Sequence, residues 1–128
     1  MAVDRVVVRH SILQWNARSI PANRDSFQRL LNTNPVALIA LSETWFRPGS
    51  PQHFPGYTTI RNDRQDGRGG VALLIHTSVV CRPIPFVSPS PQFQAVAAWV
   101  TLGGISFALI SYIDLQVTMT FTTPFAVC

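Results

Sequence analysis

The sequence predicts an α+β fold in which one main helix accompanies a mixed β-sheet. Residues 11–43 carry strand, helix and strand signals in that order, and residues 57–112 carry strand signals separated by turns. The chain has 128 residues, of which 47% are hydrophobic and 12% are charged. This length suits one modest domain or a piece of a larger one, and the composition excludes a disordered chain.

Local residue patterns predict the first strand and the helix. Residues 11–15 are rich in β-forming types, and the strand is expected to reach back to residues 6–8 with a break near His10. Asn23 or Asp25 is the expected N-cap of the helix, because short polar side chains accept hydrogen bonds from its first amides. Helical spacing then places three side chains on one apolar face: Phe27, Leu30 and Leu31.

Residues 36–41, with the sequence VALIAL, complete a strand–helix–strand unit. The run is continuously apolar and has the length of a strand, which is typical of a strand covered on both faces. A crossover connection of this kind is right-handed and makes its two strands parallel. The sequence therefore predicts a parallel pair at the start of the sheet.

Antiparallel hairpins are predicted for the rest of the chain. Residues 57–61 and 71–76 flank a polar, Gly-rich turn, and residues 94–102 and 105–112 flank a Gly-Gly pair. Residues 79–87 form a weaker strand that contains two prolines, so it is expected at a sheet edge.

Two polar residues close the two parallel strands. Asn16 ends the first strand, and Glu43, the only glutamate in the sequence, ends the second. The carboxyl ends of parallel strands lie at one edge of a sheet, where ligands bind, so the amide and the carboxylate are expected on one rim. A carboxylate there can hold Mg²⁺, a hard cation that prefers oxygen ligands. An ordinary strand-end pair, in which Glu43 caps nearby amides, explains the same spacing.

The charge of the chain bears on its partners, and its cysteines bear on its compartment. The formal net charge is +4, and all ten basic residues are arginine, a side chain suited to bidentate phosphate contacts. A nucleic-acid partner is therefore allowed, although a composition bias in the gene explains the arginines equally well. Cys81 and Cys128 lack the spacing of a disulfide framework or a metal site, which suits a reducing compartment.

Targeting signals are also absent from the sequence. It shows no signal-peptide pattern at its start and no apolar stretch long enough to span a membrane. The expected location is therefore intracellular, nuclear or cytoplasmic, with no membrane partner.

Five short motifs occur in a characteristic order: QWNARS at 14–19, LSETW at 41–45, PGY at 55–57, RNDR at 61–64 and GGVA at 69–72. With this order and spacing the chain resembles the endonuclease/exonuclease/phosphatase superfamily. Within it, the chain is most similar to the apurinic-type endonuclease domain of non-LTR, jockey-like retrotransposons. The resemblance covers about residues 11–112, since the later segments QAVA at 94–97 and ISY at 110–112 also agree.

The resemblance implies a DNase I-like fold, which is a four-layer α/β sandwich. The chain would form its N-terminal half, with residues 1–112 a partial, truncated domain and residues 113–128 a divergent tail. Such a half would hold one sheet and one helix layer, so the inner face of the sheet is expected to be bare. Self-association through that exposed face follows as an expectation.

The resemblance also implies roles for single residues. Glu43 matches the metal-binding glutamate of the family, Asn16 its active-site asparagine, and Tyr112 the tyrosine that contacts the scissile phosphate. Mg²⁺ is the implied cofactor, and DNA is the implied partner. The residues nearest the expected DNA surface are arginines that also fit a solvated hairpin: Arg61, Arg64 and Arg68.

The sequence departs from the family pattern after Tyr112. The family pattern continues with two prolines, a G-D-x-N segment that holds the catalytic base, and an S-D-H segment whose histidine contacts the phosphate. Neither segment occurs in these 128 residues, and His53 and His76 are expected to be surface or satisfied polar residues. Hydrolysis of a phosphodiester needs a base, a metal and donors for the phosphoryl oxygens. The chain alone is therefore expected to be inactive as an endonuclease.

Three other interpretations remain open at the level of sequence. The chain could be a non-catalytic nucleic-acid-binding remnant, or a fragment of a phosphatase from the same superfamily. It could also be a small β-rich protein whose motif matches are chance. Salt-dependent DNA binding separates the first from the others, since phosphate contacts release counterions.

Overall fold

In a computed structural model, residues 8–85, 87, 90 and 92–114 are described. The helical segments in this part are a short 3-10 turn, Pro21–Asn23, and the helix α1, Arg24–Thr33. The strands are β1 (Arg9–Asn16), β2 (Val36–Ser42), β3 (Tyr57–Asn62), β4 (Val71–His76), β5 (Val80–Ile84), β6 (Phe93–Leu102) and β7 (Ile105–Asp114).

These strands form two sheets. The first has the order β1-β2-β4-β3, and the second has the order β5-β6-β7. β1 and β2 are parallel, whereas every other pair is antiparallel, so the first sheet is mixed. The predicted parallel unit, both hairpins and the edge position of the proline-containing strand are thereby confirmed, as is the α+β class.

The two central strands of the first sheet are buried on both faces. Along β2, Leu38 and Ala40 face the second sheet, whereas Ile39 and Leu41 face the helix. This alternation follows from the two-residue period of a strand. Burial on both faces explains why the run 36–41 contains no polar residue.

The expected bare inner face is wrong, because the second sheet covers it. Val96, Ala98 and Val100 of β6 and Leu109 of β7 pack with residues of β2 and β4 in one buried cluster. The strand alternation of residues 94–102 predicts one buried face but does not tell which surface will bury it. The exposed apolar side chains of the second sheet include Trp99, which is 47% exposed, and Val80, which is 73% exposed.

The helix α1 packs with part of its predicted apolar face. Phe27 and Leu31 are buried, and the Phe27 ring lies 5.5 Å from that of Trp15, whereas Leu30 is 38% exposed. Asn23 occupies the N-cap position but does not cap, since its side-chain amide donates to the Ser19 carbonyl oxygen at 2.9 Å. The preceding 3-10 turn explains this, because it directs the side chain back toward the loop after β1.

β1 is irregular near its start, and β7 extends beyond the predicted strand. The pairing of β1 with β2 shifts register between Arg9 and Ile12, which agrees with the predicted break near His10. β7 continues to Asp114, two residues into the segment expected as a divergent tail. Residues 6–7 and 115–128 lie outside the described part of the chain. Within that part, no helix is both long and apolar enough to cross a membrane.

Candidate functional site

At one end of the first sheet, four residues from its four strands lie side by side in a row. Asn16 lies opposite Ser42, Ser42 opposite Val71, and Val71 opposite Asn62. Glu43 follows Ser42 directly in the sequence, so it lies just beyond this row. We call this edge the rim and define it as residues 16–19, 43–47 and 62–70.

Backbone hydrogen bonds hold the two loops of the parallel pair side by side at the rim. The Ala17 amide donates to the Ser42 carbonyl at 2.9 Å, and the Ser19 amide donates to the Glu43 carbonyl at 3.0 Å. The pairing of β1 with β2 thus continues past the strand ends. The structure brings Asn16 and Glu43 to one rim, as the crossover topology predicts, whereas their chemical roles stay predictions.

The rim contains an unusual backbone. Among the described residues, those that have a positive φ and are not glycine are Arg18 (45°), Ser19 (92°), Glu43 (52°) and Trp45 (57°). All of them lie in the rim. An L-residue in this left-handed region costs about 1–2 kcal/mol. Strain of this kind is concentrated at functional sites in proteins, so the backbone marks the same place as the motifs.

The Gly-Gly pair of the GGVA motif packs against the loop that carries Glu43. The Trp45 amide donates to the Gly69 carbonyl at 2.9 Å, and the Thr44 amide donates to the Gly70 carbonyl at 3.3 Å. A Cβ atom added at Gly70 would lie 2.7 Å from Oγ1 of Thr44, which is fully buried. Gly70 also has a φ of +82°, so both conformation and space require glycine there.

Side-chain hydrogen bonds tie the second sheet to the rim. The Gly70 amide donates to Oε1 of Gln94 at 2.9 Å, and Nδ2 of Asn62 donates to the Ala95 carbonyl at 3.0 Å. The hydroxyl of Ser111 on β7 donates to the Leu41 carbonyl at 3.0 Å. The starts of β6 and the end of β7 therefore lie beside the rim, although sequence patterns alone show none of these bonds.

Tyr112 lies at the same end of the structure but on another face. Its neighbour Ser111 is buried between the sheets, and successive side chains of a strand point to opposite faces. Tyr112 is therefore on the outer face of the second sheet, where its ring stacks on Phe93 with centroids 5.6 Å apart. The structure thus brings Asn16 and Glu43 together at the rim. The Tyr112 ring, in contrast, lies on the outer face of the second sheet near the end of β7.

The three arginines predicted near DNA have different surroundings. Arg61 forms an ion pair with Asp63 at 2.8 Å, and its guanidinium lies 5.2 Å from the Phe46 ring centroid. Arg64 forms an exposed pair with Asp66 at 3.3 Å. The guanidinium of Arg68 lies 5.6 Å from the ring centroid of Trp45 and forms no ion pair with any described residue. Arg68 is therefore the one whose charge is available for a ligand.

A polar cleft adjoins the rim. Its volume is about 400 Å³, and it lies between the β3–β4 turn and the start of β6. Asn62 and Asp63 line one side, and Phe93 and Gln94 line the other. The cleft is open to solvent, so an extended ligand that crosses the rim can enter it.

The donor set of the rim suits a hard cation in type but not in number. Glu43 offers carboxylate oxygens and Asn16 an amide, and oxygen ligands are what Mg²⁺ prefers. However, no group of three or more His, Cys, Asp or Glu residues is close enough to hold a metal in the described part of the chain. These residues do not form a metal site by themselves. Water and the oxygens of a phosphate would have to complete it.

The described histidines do not add to this donor set. His10 is near the start of β1, and His76 ends β4, so both lie at the edge opposite the rim. Nδ1 of His76 is 2.8 Å from the Ser78 hydroxyl, and His53 is exposed in the loop before β3. The prediction that His53 and His76 are surface or satisfied polar residues is confirmed.

A comparison with known protein families agrees with the fold. Residues 13–110 match the Endonuclease/Exonuclease/phosphatase family. This match covers well over half of the chain, and the chain belongs to that family. Its proteins generally use divalent metals. A comparison with individually curated proteins found no match.

Proposed function

We propose that this chain is an endonuclease domain of the non-LTR retrotransposon type, acting on DNA with Mg²⁺, and that these 128 residues alone do not cleave it. The observation that carries the proposal is the placement of Asn16 and Glu43 on one strained rim. The five motifs, two of which contain these residues, resemble those of the retrotransposon branch, and the family match spans all five.

Glu43 and Asn16 would act on the scissile phosphate from one side. Glu43 would supply a carboxylate to the metal, and Asn16 would supply an amide that orients a phosphate oxygen. When bound, Mg²⁺ neutralises charge that develops on the phosphoryl oxygens. The exposed arginines of the rim would hold the DNA backbone.

The expected inactivity follows from the chemistry that these residues lack. The attack of water on phosphorus needs a general base within hydrogen-bond reach. The family supplies that base from its G-D-x-N segment, which does not occur in these 128 residues. A carboxylate committed to the metal does not also activate water, so the missing base and histidine would remove several orders of magnitude of rate.

The test has two parts, each with Glu43→Ala as the matched variant. Supercoiled plasmid is incubated with the chain and Mg²⁺, and no nicking above the buffer level is expected for either protein. In the second part, Mn²⁺ replaces Mg²⁺, and the broadening of amide NMR signals is followed with and without a DNA duplex. Broadening at residues 16–18 and 43–45 is expected only when DNA is present, and it should be lost in the variant.

The outcomes separate the alternatives. Nicking that depends on Glu43 would overturn the claim of inactivity and leave the endonuclease assignment in place. Broadening that needs a phosphoinositide or a nucleotide instead of DNA would favour the phosphatase branch. Salt-dependent DNA binding with no Mn²⁺ effect at the rim would favour a non-catalytic binding remnant.

A further inference from the structure

We infer that Arg18, Arg47 and Arg68 form one contact surface for the phosphates of duplex DNA. Of these three, the sequence predicted only Arg68 to lie near DNA. We call these three residues the rim arginines. The inference rests on the proposed function, since it names the groups that would hold the DNA backbone beside Glu43. All three side chains are exposed and form no ion pair with any described residue.

Arg18 is fixed next to Glu43 by the backbone. It precedes Ser19, whose amide donates to the Glu43 carbonyl at 3.0 Å. Its φ of 45° is unusual for a residue other than glycine, and its side chain is exposed. The loop is therefore held in a defined conformation that presents a positive side chain beside the single glutamate.

Arg47 and Arg68 lie on the other side of Glu43. Arg68 has its guanidinium 5.6 Å from the ring centroid of Trp45, two residues after Glu43, which restricts the position of the charge. The carbonyl of Arg47 accepts hydrogen bonds from the Ser50 hydroxyl at 2.5 Å and from Nη2 of Arg61 at 3.3 Å. These bonds fix the backbone of Arg47 and leave its side chain exposed.

Unlike Arg24, Arg61 and Arg64, the rim arginines have no competing partner for their guanidinium charge among the described residues. Within the described residues the ion pairs involve Arg61 and Arg64, and Arg24 donates to Gln52 and to the His53 carbonyl. None of the rim arginines takes part in such a pair. Three unpaired guanidinium groups lie on neighbouring loops, and each can make a bidentate contact with a phosphate. They therefore suit the regularly spaced phosphates of a nucleic acid backbone.

The chain also contains a matched control set. Arg9 at the start of β1, Arg29 on α1 and Arg82 on β5 are equally exposed and unpaired among the described residues. They lie on three separate elements outside the rim, so they are expected to contribute less to a duplex bound beside Glu43. Replacing either set with glutamine removes the same charge from the protein.

The decisive measurement is the salt dependence of DNA binding. A fluorescent duplex of random sequence is titrated with wild type, with the triple Arg→Gln variant of the rim, and with the triple Arg→Gln variant of the control set. No divalent metal is present. Log affinity falls linearly with log salt concentration, and each phosphate contact makes this slope steeper by about 0.9. Each contact therefore causes about a 3.5-fold loss of affinity between 50 and 200 mM salt.

The rim variant is expected to lose about 2.7 from the magnitude of that slope, and the control variant much less. Each single rim variant should lose about 0.9. Thermal melts confirm that every variant is folded, and the single variants replace a triple variant that is not. Equal slopes for the rim and control variants would overturn the inference and leave the proposed function standing. A wild type that does not bind duplex DNA would overturn both.

Discussion

The amide of Gly70 donates a hydrogen bond to Oε1 of Gln94 at 2.9 Å, and this bond joins the two sheets at the rim. The two residues are 24 positions apart, and the contact is buried. Gln94 is 5% exposed, so its side chain is held there against the preference of an amide for water. The bond thus makes the position of the Gly69-Gly70 turn depend on β6.

Replacing Gln94 with alanine should destabilise the fold by about 1–3 kcal/mol, because the Gly70 amide would stay buried without its acceptor. Gln92→Ala is the control, since Gln92 is exposed and lies on the same segment. Urea unfolding followed by circular dichroism measures both variants. A loss for Gln94→Ala no greater than that for Gln92→Ala would show that the bond contributes little.

Gly70→Ala should cost more stability than Gly67→Ala, although both glycines have similar positive φ values of +82° and +75°. A methyl group at Gly70 would meet Oγ1 of Thr44 at 2.7 Å, whereas nothing lies within 4 Å of the corresponding position at Gly67. The difference between the two variants therefore isolates the contact from the backbone strain. Their free energies of unfolding give this difference directly.

A second substitution tests the same contact from the other side. Thr44→Ala removes Oγ1, so Gly70→Ala should cost less in that background than in wild type. A double-mutant cycle should give a coupling of about 0.5–3 kcal/mol for residues in contact. Additive effects would mean that the cost at Gly70 comes from its φ angle alone.

Glu43→Gly should be more stable than Glu43→Ala by about 1 kcal/mol, because glycine adopts a positive φ without the cost that an L-residue bears. In a regular strand or helix the order is reversed, with glycine less stable than alanine by about 0.5–1 kcal/mol. Both variants lack the carboxylate, so their difference reports only the backbone. Chemical unfolding at neutral pH measures it, and the ordinary order would show that Glu43 is unstrained.

The buried phenol of Tyr57 should make the fold less stable in alkaline solution. Burial raises the pKa of its phenol, whose hydroxyl donates to the Val36 carbonyl at 2.8 Å. Because the folded-state pKa lies above the unfolded value of about 10, the contribution is fully present below pH 10 and is lost as pH rises through the folded-state value. Tyr57→Phe should lower stability by about 1 kcal/mol at neutral pH and flatten the fall above pH 10. A fall of the same steepness in the variant would assign it to other groups.

The sequence allowed the parallel pair and the hairpin of the first sheet to be predicted, because their signals are local. The apolar run of 36–41, the helix between the strands and the Gly-rich turns each set one element or one connection. The placement of Asn16 and Glu43 on one edge then follows from the parallel direction that the crossover gives the two strands. No long-range contact had to be known for these steps.

The packing of the second sheet could not be predicted in the same way. The alternation along residues 94–102 shows that one face is apolar, but many partners can bury such a face. The bond between Gly70 and Gln94 has no local signal at all, since a lone glutamine after a loop is usually solvated. Similarly, the exposure of Arg18 and Arg47 depends on which arginines find partners, and only the folded chain decides that.

The row of Asn16, Ser42, Val71 and Asn62 has a genetic consequence. Because the row depends on strand register, adding or deleting one codon within β2 would move Glu43 by a whole position and exchange the two faces of the strand. Substitutions leave the number of residues in the strand unchanged. The candidate site is therefore specified by the spacing of its residues along the chain as much as by their identities. An in-frame insertion or deletion in residues 36–42 would be more harmful than most missense changes there.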